Sequence, residues 1–123
     1  MREIKFRAWV LRDWALDGLM ENMMEYDVES FHDPLYEYKQ GNIILMQYTG
    51  LKDKKNVPIY EGDIVQISGH PFQGSIDIDG NYEVGYNELM ELCCGGWYLH
   101  RMRHWAEVIG NIYENPKLLE ESK

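Results

Sequence analysis

Residues 75–86, SIDIDGNYEVGY, carry the reading that decides the fold. Ile76 and Ile78 share one side of an extended chain, Asp79-Gly80 is a dipeptide favoured in two-residue turns, and Tyr82, Val84 and Tyr86 alternate on the way back. The spacing predicts a β-hairpin. Upstream, IYEGDIVQIS places a turn at Glu61-Gly62-Asp63 ahead of a strand in which Ile64 and Gln66 face away from Val65 and Ile67. Before it, the apolar run from Ile43 to Tyr48 is of the kind that fills the middle of a sheet, and Gly50 to Pro58 (GLKDKKNVP) reads as an exposed basic loop. Downstream, Gly95-Gly96 separates ELMELCC from WYLHRMRHW, a segment read as a strand flanked by its histidines, and AEVIGNIYE supplies a final strand.

At the N-terminus REIKFRAWV alternates, with Ile4, Phe6 and Ala8 opposite Glu3, Lys5, Arg7 and Trp9. Residues 13–28 admit two readings. Leu16, Leu19, Met20, Met23 and Met24 have helical spacing, whereas Asp17-Gly18 is a hairpin-turn dipeptide. The alternation of Met24, Tyr26 and Val28 then suggests a strand, and Asp33-Pro34 and Gly41-Asn42 mark loops. At the C-terminal end Asn115-Pro116 pairs a capping residue with the residue best tolerated at a first helical position, so KLLEE is expected to form a short helix. Six or seven short strands with Gly-centred turns and one or two short helices predict a mainly β fold with minor α, a small antiparallel barrel or strongly bent sheet. With no repeat or linker in 123 residues, one domain over 1–123 is the economical expectation.

Twelve Lys and Arg against twenty-one Asp and Glu give a formal charge of −9. Eight of those acids fall between Asp13 and Glu37, where there is no Lys or Arg, leaving the remainder nearly neutral. The acidic segment reads first as a solvated face, and a phosphate-mimicking decoy is the lesser alternative. The overall charge opposes sequence-independent nucleic-acid binding. No apolar run approaches the roughly 20 residues of a membrane-spanning helix, and Arg2, Glu3, Lys5 and Arg7 interrupt the position of a signal peptide, so a cytoplasmic protein without membrane association is expected. Cys93 and Cys94 are adjacent and poorly placed for an unstrained disulfide, which fits a reducing compartment.

The chain lacks GxSxG, GxxxxGK[ST], HExxH and GxGxxG patterns, so no catalytic residues and no cofactor are assigned. His100 and His104 with Cys93 and Cys94 raise a zinc hypothesis, weakened because adjacent cysteines point their thiolates poorly at one ion. No metal site is therefore assigned. The candidate binding residues are Trp97, Tyr98, Arg101, Arg103 and Trp105, where cations alternate with flat stacking surfaces, and Lys52, Lys54 and Lys55, mounted between two expected strands. Trp, Tyr and Arg are also the residues enriched at protein interfaces, which places protein contact ahead of nucleic acid.

Three segments, MREIKFRAW (1–9), LMQYTGLKDKKNVPIYEGDIV (45–65) and EVIGNIYENPKLL (107–119), resemble the YopX-like proteins of bacteriophages and prophages in content and order. The resemblance implies a mainly β fold of this size and a phage or prophage origin, and it assigns no catalytic residues. The chain departs from the family pattern where Val10 and Leu11 lead into a Met-rich stretch, and where Lys55-Asn56 stands in place of an Asn-Gly turn. The functional expectation is a non-catalytic accessory protein that binds a host or phage protein or assembles with itself. The alternative is a nucleic-acid-binding accessory factor. Four Trp, nine Tyr and seven Met further suggest apolar surface covered by homo-oligomeric contact.

Overall fold

The computed structural model describes residues 4–11, 22–28, 31, 33–71 and 78–120. Over the described residues it is mainly β with three short helices; one sheet is curled into a half-barrel and the other is open. Contacts divide the chain into two compact units, residues 1–48 and 49–123.

In the first unit β1 (Phe6–Val10) pairs antiparallel with β2 (Met24–Glu25) on one side and with the first part of β3 (Ile43–Lys52) on the other. Ala8, Val10 and Ile43 form a small core against which Val28, Phe31 and Leu45 pack. Alternation along β1 is weaker than expected, because Arg7 and Trp9 are buried as well as Ala8 and Val10, while Phe6 is exposed. The Arg7 guanidinium is buried by donating from Nη1 to the Tyr26 hydroxyl (3.2 Å) and lying over the Tyr26 ring. The choice between helix and hairpin for residues 13–28 falls largely on 12–21, outside the described residues. Its flanks are joined, since Val10 and Asn22 exchange strand-like bonds with Met23 and Val10.

Asp33-Pro34, expected as a loop, instead opens α1 (Pro34–Lys39). Asp33 Oδ1 accepts from the Tyr36 N–H (3.1 Å) and Pro34 occupies the first turn, the same chemistry that was read at Asn115-Pro116.

The second unit holds the end of β3, flanked by β4 (Pro58–Tyr60), and a five-stranded sheet. In that sheet the order is β8 (Trp97–Tyr98), β7 (Leu92–Cys94), β6 (Gly80–Tyr86), β5 (Asp63–Ile67), β9 (Ala106–Asn111). Among the described residues its core gathers nine buried side chains, including Ile59, Val65, Val84, Cys94, Leu99 and Met102. Gly80 is the first residue of β6, which pairs with β5 through Gly80–Glu83 and with β7 through Val84–Tyr86, so Asp79-Gly80 is not the two-residue turn expected. The expected strand at 75–78 falls almost wholly on residues 75–77, which lie outside the described set.

The segment 97–105 is a strand only at Trp97–Tyr98; α2 (Leu99–Met102) and a 3₁₀ turn (Arg103–Trp105) follow. Leu99 and Met102, three apart, both enter the core, which requires helical spacing. The register of β5 against β9 shifts between Ile64 and Val65, whose partners are Gly110 and Val108, so Ile109 is the extra residue of a bulge. Beside it a Cβ on Gly110 would fall on the Asn115 carboxamide, so this glycine serves close packing. That carboxamide oxygen accepts from the Asn111 N–H (3.2 Å), and the expected C-terminal helix is present as α3 (Lys117–Glu120).

Candidate functional site

Two loops of the second unit carry the exposed functional groups. The first follows β3. Gly50, Leu51 and Lys52 belong to the strand, so the loop is shorter than the expected Gly50–Pro58 span. Its centre is also not exposed: Asp53 retains only 3% of its surface. Its Oδ1 accepts from the N–H groups of Lys55 (2.8 Å) and Val57 (2.9 Å), and its Oδ2 accepts from the Val108 N–H (2.8 Å). Burying a carboxylate is tolerable here because three donors replace its water.

The Lys54 N–H also donates to the Ala106 carbonyl (3.0 Å). Loop and carboxylate together cover the free edge of β9, which would otherwise present unpaired backbone groups. Asn56 adopts φ +71°, the left-handed conformation that asparagine tolerates.

The cations expected on this loop surround that anchor. Lys52 is exposed, Lys54 Nζ reaches the Ser68 hydroxyl (3.3 Å), and Lys55 Nζ pairs with Glu107 Oε2 (2.9 Å). Arg103 Nη1 donates to the Lys52 carbonyl (3.0 Å), bringing one member of the distant 97–105 segment onto the same surface. Trp105 is half-buried, packs against the core and meets the His70 ring edge-on at 4.4 Å.

The second loop joins β6 to β7. Asn87 Oδ1 accepts from the N–H groups of Leu89 and Glu91 (both 2.9 Å), and Asn87 Nδ2 donates to Glu91 Oε1 (2.7 Å). The Met90 N–H returns to the Asn87 carbonyl (2.9 Å). This rigid turn lifts Leu89 and Met90 to 75% exposure each.

An open pocket of about 300 Å³ lies beside the turn, lined by Glu83, Gly85, Tyr86, Asn87, Cys93 and Gly95. A second of about 400 Å³ is lined by Glu91, Leu92, Tyr98, His100 and Arg101. There the Tyr98 hydroxyl donates to Glu91 Oε2 (3.2 Å) and its ring stacks near-parallel to His100 at 6.0 Å. The Glu91 charge and that hydrogen bond push the Tyr98 phenol above its ordinary value.

The candidate residues therefore separate. Tyr98 and Arg101 line the pocket by Glu91, whereas Arg103 joins Lys52, Lys54 and Lys55. Trp97 and Trp105 both pack against the core and are not the open stacking platform their sequence suggested. What the sequence reading missed is the pair Leu89-Met90, whose signal was an apolar dipeptide between Asn87 and Glu91 with no partner in the alternation. Among the described residues no three His, Cys, Asp or Glu side chains are grouped to hold a metal ion. Burial, with Cys93 beside it, pushes the Cys94 thiol up to about 12, which keeps it neutral and unreactive in the core.

The fold and these loops define a small, mainly β protein whose exposed groups sit on rigid turns. It belongs to the YopX family, whose model, described as YopX protein, matches residues 5–120. The fold is similar to that of the crystal structure of protein EF1440 from Enterococcus faecalis, with a TM-score of 0.54 and 23% identity, covering 97% of this chain and 99% of that one. A comparison with curated proteins gives no match. Among the described residues no helix is long and apolar enough to cross a membrane.

Proposed function

We propose that this chain is a phage- or prophage-encoded accessory protein of the bacterial cytoplasm that acts without catalysis, binding a protein partner through the β6–β7 turn. The observation that carries the reading is Met90. It is 75% exposed, so packing within the chain does not account for it, and it sits at φ +63°, where a non-glycine residue costs roughly 1 kcal/mol. Neither the core nor the backbone favours methionine here. A role for the side chain outside the molecule does, and Leu89 beside it extends the same apolar tip. Methionine adapts to varied apolar partners, and the flanking pockets offer Tyr86, Tyr98 and Arg101 as further contact residues.

The test is capture from host lysate with wild type and with Met90→Asn, read by mass spectrometry. Asparagine tolerates the backbone conformation, so folding should persist and the wild-type partner should be lost. If the variant captures the same proteins in the same amounts, the tip is not the binding element.

The second reading, nucleic-acid binding, draws on Lys52, Lys54 and Arg103 meeting on one surface. Its affinity would fall steeply with salt, and changing all three to Ser would abolish it.

A further inference from the structure

We infer that the partner of the tip is a second copy of this chain, the Leu89-Met90 turn of one copy docking on the Lys52, Lys54 and Arg103 surface of the next. This rests on the reading of the tip as a protein-binding element and names its occupant.

Charge complementarity is the first argument. Between Lys55 and Arg101 the sequence has no Lys or Arg, and the hairpin carries Glu83, Glu88 and Glu91 around its apolar turn. The tip is thus apolar with Glu83, Glu88 and Glu91 on its rim, the last of them held by Asn87 and Tyr98 in a pocket that also holds Arg101. The loop surface is its complement. Asp53 is turned inward onto three backbone donors and Glu107 is engaged by Lys55, which leaves Lys52, Lys54 and Arg103 beside half-buried Trp105.

Topology supplies the second argument. Ile67 pairs with Gly80 on one side and with Ala106 on the other, so the β9 end of the basic surface is level with the start of β6. The acidic tip follows Tyr86, at the far end of the same strand. Roughly 20 Å of extended chain separates them at about 3.4 Å per residue. The two surfaces cannot meet within one copy of the sheet. Between copies they can, and because they are unlike, the contact is head-to-tail and repeats from molecule to molecule.

The experiment is sedimentation velocity on the full chain across micromolar concentrations at about 0.1 M salt, where long-range repulsion between acidic chains is screened beyond roughly 10 Å. Wild type should form a concentration-dependent series that dissolves toward about 0.5 M salt. A tip variant (Leu89→Ser with Met90→Asn) and a surface variant (Lys52→Glu with Lys54→Glu) should each weaken association about tenfold or more. Mixed together, they should recover a one-to-one complex, since one retains the intact surface and the other the intact tip. Melting curves of both variants control for folding.

A monomeric wild type overturns the proposal while leaving the lysate test of the tip standing. Assembling wild type with no complex in the mixture overturns the tip-to-surface pairing. A single-stranded DNA oligonucleotide that binds the basic surface while the chain stays monomeric overturns it in favour of nucleic acid.

Discussion

The loop after β3 and the turn between β6 and β7 are built on one device and put to opposite ends. In each, a single side chain with a carbonyl-type oxygen collects backbone N–H groups: Asp53 takes three, Asn87 takes two. Asp53 also reaches beyond its own loop, to Val108 across 55 residues of sequence, and is buried. Asn87 lies at the surface and bonds within its turn and, from Nδ2, to the Cys93 thiol in the next strand (3.7 Å). The long-range bond makes the first loop part of the sheet. The short-range bonds make the second a rigid mount for Leu89 and Met90, which are three-quarters exposed.

The largest expected effect tests the first half of that contrast. Asp53→Ala leaves the part-buried N–H groups of Lys55, Val57 and Val108 without their acceptor and should cost about 3 kcal/mol, a fall in Tm of roughly 10 °C. Asp53→Asn, which keeps one acceptor oxygen, should recover about half of the loss. Asn87→Ala is expected to cost only about 1 kcal/mol, because its donors can turn to water. Denaturant melts of the three variants decide the matter, and equal losses for Asp53→Ala and Asn87→Ala would erase the distinction between the loops.

Met90→Asn sharpens it from the other side. Relief of the left-handed backbone should leave stability unchanged or raise it by up to about 1 kcal/mol, while partner binding is lost. A drop in Tm would mean that Met90 packs as structure. The smallest effect belongs to Lys55→Ser. Its pair with Glu107 is well exposed, at 61% and 33% of side-chain surface, and removal should move stability by no more than about 0.5 kcal/mol in thermal melts.

Several strands were legible because burial on a sheet leaves a local imprint. Ile64, Val65 and Ile67 in β5, the closing strand β9 and the short helix α3 stand where the pattern puts them, with the Asn115 side chain accepting from the Asn111 N–H. Errors fell where one motif has two outcomes. Asp33-Pro34 and Asn115-Pro116 are the same signal, yet only the second reads as a helix start, because the first precedes the exposed, aromatic PLYEYK that shows no buried face. HRMRHW reads as a strand because two turns of helix with one buried side are too short to establish a period. Of the candidate site, the cations at 52–55 and Tyr98 with Arg101 were visible as exposed charge and aromatic residues. The union of Arg103 with Lys52 was not, as 51 residues separate them.

By itself the sequence determined the mainly β class, the family and the absence of a long apolar span, because each depends on composition or on patterns within a few neighbouring residues. Only the tertiary structure decided that Asp53 is a buried anchor amid three lysines, that the two tryptophans serve the core, and that Leu89 and Met90 stand free. A charged residue is buried when donors from elsewhere in the chain replace its water, and an apolar one is exposed when no neighbour comes to cover it. Both depend on what the fold brings near, which spacing along the chain does not encode.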